Sequence, residues 1–95
     1  MKIKIKKTIN KAYLKLKDIS PNIKKSFSEN IKIKGKGSTF DSVDIITFFS
    51  FLETELLNSK VKNPSFLDKE FFFKYEDISI FDIIKLIIKK NGNKN

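Results

Sequence analysis

The sequence predicts an all-α fold: a small four-helix bundle of three longer helices and one short helix, with a long loop between the first and second. Three observations predict it. Apolar residues recur at spacings of three and four in three separate segments, as one buried face of a helix requires. Two of those segments open on helix-start signatures, Asp41 with Asp44 three residues on and Ser79 with Asp82 three residues on. The stretches between them hold the residues that interrupt regular structure, Gly35, Gly37 and Pro64. Helices that each carry one apolar stripe can bury it only against one another, so a bundle follows.

The first helix is expected over residues 4–18. Ile5, Ile9, Ala12, Leu16 and Ile19 form its apolar face, and lysines at 6, 7, 11, 15 and 17 surround it. Ser20-Pro21 reads as an N-cap followed by a first-turn proline, opening a short helical turn through Ile23 and Phe27. Residues 28–41 read as a long loop in which Ile31 and Ile33 point inward; loops of this length are usually functional or flexible. The second helix starts at Asp41 or Ser42 and runs to about Asn58. Asp41 is its N-cap, and Asp44 places negative charge in the first turn, a solvated position that suits the helix dipole. Ile45, Phe48, Phe49, Leu52 and Leu56 make a wide buried stripe with Ile46 and Leu57 at its edge; Thr47, Ser50 and Thr54 lie opposite. After a loop containing Asn63-Pro64-Ser65, the short helix is placed over Asp68 to Tyr75, with Phe71, Phe72 and Phe73 read as core in preference to a cargo site. The last helix is capped by Ser79 and runs to about Lys90. Ile80, Ile83, Ile84, Ile87 and Ile88 form its buried face, and Lys89-Lys90 suit its C-terminal end. One domain spans 1–95, and residues 91–95 should fray.

Composition excludes much of chemistry. The 95 residues contain no cysteine and no histidine, so thiolate nucleophiles, thiolate metal sites and the commonest general base are all absent. No paired carboxylates and no glycine-rich phosphate loop take their place, and the chain reads as a non-enzyme. The formal charge is +9 and unevenly spread. Residues 1–37 hold 12 lysines against Asp18 and Glu29, whereas 38–59 hold Asp41, Asp44, Glu53 and Glu55 and no base. No secretory pattern is visible, and no apolar run approaches the roughly 20 residues that span a bilayer. A monomeric, cytoplasmic protein without stable membrane insertion is expected.

The most informative stretch is Phe40-Asp41-Ser42-Val43-Asp44. A serine stands where a loop becomes a helix, an acid precedes it, and an aliphatic residue and a second acid follow. The motif and the helix order resemble the acyl carrier protein family, over roughly residues 38–90 and more weakly the first helix. Asp41 and Ser42 match the family's motif, and Val43 replaces its usual leucine. The later stretch from Pro64 to Ile80 is similar to stand-alone carriers of specialised pathways, which have a longer segment before the last helix.

The resemblance implies a four-helix carrier-protein bundle that carries an acyl or aminoacyl cargo as a thioester. The cargo rides on a covalent 4′-phosphopantetheine arm attached to Ser42, with Asp41, Val43 and Asp44 around the attachment site. It implies docking of partners along the second helix, through Val43, Thr47, Ser50 and Thr54. Phe51, near Asp44 and Glu55 on the helical wheel, is either an exposed contact anchor or buried by the long loop. The implied partners are a phosphopantetheinyl transferase, an acyl- or aminoacyl-loading enzyme, and a downstream acyltransferase or synthase. Two departures stand out: family members are strongly acidic and this chain is basic, and its second helix carries Thr47, Ser50 and Thr54 where others have more glutamates.

The alternative is a basic helical module that binds nucleic acid or an anionic membrane surface through residues 1–37. Lysine density supports it. The chain has no arginine for bidentate contacts and no basic aromatic platform, so nucleic acid is not an expected partner.

Overall fold

The computed structural model describes residues 2–68 and 74–92. Helix α1 spans Lys2–Ile19 and buries Ile5, Ile9, Ala12, Tyr13 and Leu16 along one face. Ile19, expected on that face, is exposed. It is the last residue of the helix. The Ser20 N–H donates to Leu16 O at 2.9 Å and closes the final turn. Helix α2 spans Ser42–Asn58 and runs antiparallel to α1. The direction is fixed by three contacts: Thr8 Oγ1 lies 3.3 Å from Ser59 Oγ, Lys15 Nζ 2.5 Å from Glu55 Oε2, and Ser20 Oγ 2.7 Å from Asp44 Oδ1. The last helix, α3, spans Ile80–Lys90 and buries Ile80, Ile83, Ile84 and Ile87.

Both expected caps form as reciprocal boxes, at Asp41 with Asp44 and at Ser79 with Asp82. Each satisfies backbone N–H groups that a helix start otherwise leaves open. Asn91 ends α3 and clasps Lys62 through two hydrogen bonds, accepting from its N–H at 2.9 Å and donating to its carbonyl at 3.2 Å. The remainder of the tail expected to fray, from 93 on, lies outside the described residues.

The architecture is mostly α, with three helices among the described residues. Of the short helix placed over Asp68 to Tyr75, residues 69–73, with Phe71, Phe72 and Phe73, lie outside the described residues. Two expectations need correction. First, Ser20-Pro21 opens no helix. The Ser20 side chain is instead drawn to Asp44, and residues 21–28 hold a turn and irregular chain. Second, the long loop contains a strand. Strand β1 (Lys32–Lys34) pairs antiparallel with β2 (Ile78–Ser79), with an irregular register between Lys32 and Lys34. The N–H groups of Ile80 and Phe81 continue the pairing to Ile31 O and Glu29 O at 2.9 and 3.0 Å. The cause is legible in Ile31-Lys32-Ile33-Lys34, a period-two alternation that buries Ile33 and turns lysines outward.

Gly35 ends β1 with φ +108°, and a Cβ built there would sit 3.0 Å from the Asp77 Cα. Both facts demand glycine. Gly35→Ala is expected to cost about 1–2 kcal/mol in a urea melt, because the left-handed backbone and the close approach are both strained.

The connections also supply core. Ile23 and Ile33 come from the first, Val61 and Phe66 from the one after α2, and all four are buried. The Phe66 ring stacks on Phe49 with centroids 5.1 Å apart, and Phe40 meets Phe48 edge-on at 5.9 Å. Burial of a phenylalanine contributes roughly 1.5–3 kcal/mol, enough to hold these connections against the bundle. No helix among the described residues is long and apolar enough to cross a membrane.

Candidate functional site

The head of α2 gathers the residues that the sequence singles out. Asp41 has extended backbone, and its Oδ1 accepts from the Asp44 N–H at 2.8 Å. In return the Asp41 N–H donates to Asp44 Oδ2 at 3.1 Å, and the Ile45 N–H donates to Asp41 O at 3.0 Å. Asp41 is therefore the cap, and Ser42 is not needed for that task. Ser42 is the first helical residue and is exposed. Its hydroxyl makes no hydrogen bond among the described residues. A helix-start serine with a free hydroxyl, one position past the cap, is chemically available to another macromolecule.

Asp44 departs from its expected solvated role. It is only 5% exposed. Its Oδ1 accepts from Ser20 Oγ at 2.7 Å, and its Oδ2 accepts from Asn22 Nδ2 at 2.9 Å as well as from the Asp41 N–H. Asn22 Nδ2 also donates to Asp41 Oδ2 at 3.1 Å. Burial pushes the Asp44 carboxyl up, but the hydrogen bonds from Asn22, Ser20 and the Asp41 backbone together outweigh it, so the group titrates below its ordinary value of 3.8. The helical wheel carries the signal that the sequence reading passed over: Asp44 lies on the side of Phe48 and Glu55, both buried, and not on the side of Val43.

The linkage has a definite sign. A carboxyl whose folded value lies below its unfolded one binds fewer protons in the native state. Its contribution is complete above the unfolded value and is lost as pH falls through the folded one. Chemical denaturation of the wild type should therefore show stability falling below about pH 4, and Asp44→Asn should flatten that fall. Equal acid slopes in the two proteins would remove Asp44 from the account.

Of the expected docking residues, Val43 is 71% exposed, Ser50 and Thr54 are exposed, and Thr47 is half-buried. Phe51 is half-buried, packed against the core with Lys15 Nζ 6.0 Å from its ring centroid. Lys15 also holds the buried Glu55, so a lysine of α1 lies beside Phe51. Two residues were missed. Ile46 is exposed and Leu57 is 77% exposed, on the same outward face as Val43 and Ser50. Their wheel positions, well around from Leu52 towards Val43, could have placed them there. Ile19 joins Val43 across a groove of about 240 Å³ floored by Leu16 and Thr47.

Together these residues make an exposed hydroxyl beside a partly apolar helix face, on a segment without a single basic residue from 38 to 59. No group of three or more acidic side chains that could hold a metal ion occurs among the described residues. No protein-family model matches the chain, and no curated protein and no solved structure matches it.

Proposed function

We propose that the chain is an acyl or aminoacyl carrier protein, modified on Ser42 with a 4′-phosphopantetheine arm and delivering thioester cargo to partner enzymes. The single observation that carries the reading is the division of labour at the head of α2: Asp41 caps the helix, and Ser42, next to it, is exposed with a free hydroxyl. The arm fits that position. Its phosphodiester is an anion, and an exposed attachment point keeps it hydrated. The N–H groups of Ser42 and Val43 precede the first intrahelical bond and remain open to an anion. When attached, the group supplies a thiol that a chain without cysteine lacks.

The chain's own residues bind and orient. In the proposed modification, Ser42 Oγ forms the new phosphorus–oxygen bond and gives up its proton to the transferase. Coenzyme A is the donor, and its pyrophosphate breaks to release adenosine 3′,5′-bisphosphate. Asp41 offers one exposed negative charge to the transferase. Asp44 does not face the transferase; it acts by holding the helix start and the Ser20–Asn22 turn in one arrangement. Val43, Ile46 and Leu57, with Thr47, Ser50 and Thr54 among them, form the face along which partners dock. The rest of the chemistry belongs to the loading enzyme and to the acyltransferase or synthase that unloads the arm.

The test is intact mass after incubation with coenzyme A and a broad-specificity phosphopantetheinyl transferase. A gain of one phosphopantetheine is expected. An unchanged mass, under conditions that modify a control carrier fully, would overturn the proposal.

A further inference from the structure

The ion pairs of the basic third leave several lysines without an acid partner among the described residues, and three of these form a row on α1. Glu29 is held by Lys6 at 2.8 Å and by Lys2 at 3.6 Å. Lys15 holds Glu55, and Lys32 pairs with Asp77. On the outward face of α1 stand Lys4, Lys7 and Lys11, none of which pairs with an acid among the described residues. Spacings of three and four align them along roughly 10 Å of helix. They line one groove of about 540 Å³, with Ile3, Thr8 and Ser59 as its other walls. Ile3 is 72% and Leu14 is 47% exposed, and they bracket the row on that same face. The only acid on α1, Asp18, lies one turn past Leu14.

We infer that this face of α1 docks reversibly on an anionic membrane surface. The lysines sit over lipid phosphates while Ile3 and Leu14 enter the boundary between headgroups and acyl chains. The bare aliphatic side chains select lipid over nucleic acid: they lose water favourably in an acyl boundary and gain nothing against a sugar–phosphate backbone. The nucleic-acid reading also needs arginine forks or stacking aromatics, and this face has neither. Two aliphatic residues and three charges make a contact that forms and breaks, not an anchor. Each lysine near an anionic surface is worth about fivefold in affinity.

The position of the row relative to Ser42 matters. Ser20, just past the end of α1, touches Asp44 at the head of α2. The row lies 9 to 16 residues earlier, about 13–24 Å along the helix axis. Ser42 is thus offset along the axis of α1 from the lysines that would touch lipid. The inference does not rest on the carrier reading.

Co-sedimentation of the full chain with phosphatidylcholine vesicles, made with and without phosphatidylglycerol, tests it. Binding is expected only to the vesicles with phosphatidylglycerol, and added salt should weaken it steeply. Lys4→Gln/Lys7→Gln/Lys11→Gln should lower affinity about a hundredfold. Leu14→Ser should lower it severalfold, whereas Lys24→Gln/Lys25→Gln, elsewhere in the basic third, should change it little. Circular dichroism establishes that each variant is folded, and normal Ser42 modification of the triple variant keeps this test separate from that of the carrier reading. Three results would overturn the inference: no binding to anionic vesicles, equal loss from either set of lysines, or binding of duplex DNA that competes with vesicles and ignores Leu14→Ser.

Discussion

Ser42→Ala is expected to abolish the mass gain completely while leaving the unfolding transition almost unchanged. Both halves follow from the same geometry. The hydroxyl is the attachment atom, so its removal leaves no nucleophile at the head of α2, and no neighbouring serine stands in for it. Stability is spared because the capping hydrogen bonds belong to Asp41, not Ser42. An exposed serine outside the cap changes stability by less than about 0.5 kcal/mol when truncated. Ser26→Ala, an exposed serine in the first connection, should be modified like the wild type. Asp41→Asn separates charge from structure, since asparagine caps a helix about as well as aspartate. It should slow modification severalfold with the fold intact. The measurement is intact mass against time, with a thermal melt of each variant. A Ser42→Ala protein that still gains the arm would end the assignment of the site.

The largest loss of stability from one polar side chain is expected at Asp44. Asp44→Ala strips the acceptor from Ser20 Oγ, from Asn22 Nδ2 and from the Asp41 N–H in one step. Ser20 is itself buried, so its hydroxyl proton is left without an acceptor, and the oxygen keeps only the Asn22 N–H at 3.3 Å. Hydrogen bonds to a charged group contribute about 1.5–3 kcal/mol each, and buried donors left unmatched cost a further 1–3 kcal/mol. These contributions are not additive, and a loss of roughly 2–4 kcal/mol is the expected sum. For a domain of this size each kcal/mol lowers the midpoint by about 4–8 °C, so the fall should be plain in a thermal melt. A double-mutant cycle with Ser20→Ala should show coupling of about 0.5–3 kcal/mol. Independent effects of the two would mean that the clasp stores no energy. Asp44→Lys is a poor probe of transferase electrostatics for the same reason: it places an unmatched charge in a buried position before any partner arrives.

The parts of the fold that could be read from the chain are those governed by local rules. Asp41 with Asp44 and Ser79 with Asp82 announce two helix starts by short-range hydrogen bonding, and both formed. The apolar stripes of α2 and α3 follow from residue spacing alone. What escaped depends on residues far apart in sequence. The burial of Asp44 requires Ser20 and Asn22, more than twenty residues earlier, and no window around Asp44 contains them. The strand at Lys32–Lys34 exists only because Ile78–Ser79 offers an edge, although the alternation of isoleucine and lysine hinted at it. Ile46 and Leu57 were set at the margin of a buried stripe because they are apolar, yet the neighbours that would cover that side are absent among the described residues. At the candidate site, the position of Ser42 was legible; the role of Asp44 as a tie between two segments, rather than a surface charge, was not.

The pairing of Lys32–Lys34 with Ile78–Ser79 has a consequence for the order of assembly. Helices α1 and α2 can zip together from their near ends, where Ser20 and Asp44 are only 24 residues apart. The two strands lie more than forty residues apart, and the entropy of closing so long a loop delays their meeting until most of the interior exists. A nascent chain that ends before Ile78 therefore has its first two helices but no seam to fasten the connection between them. The last third of the polypeptide acts as the lock that converts a hairpin of helices into a finished domain.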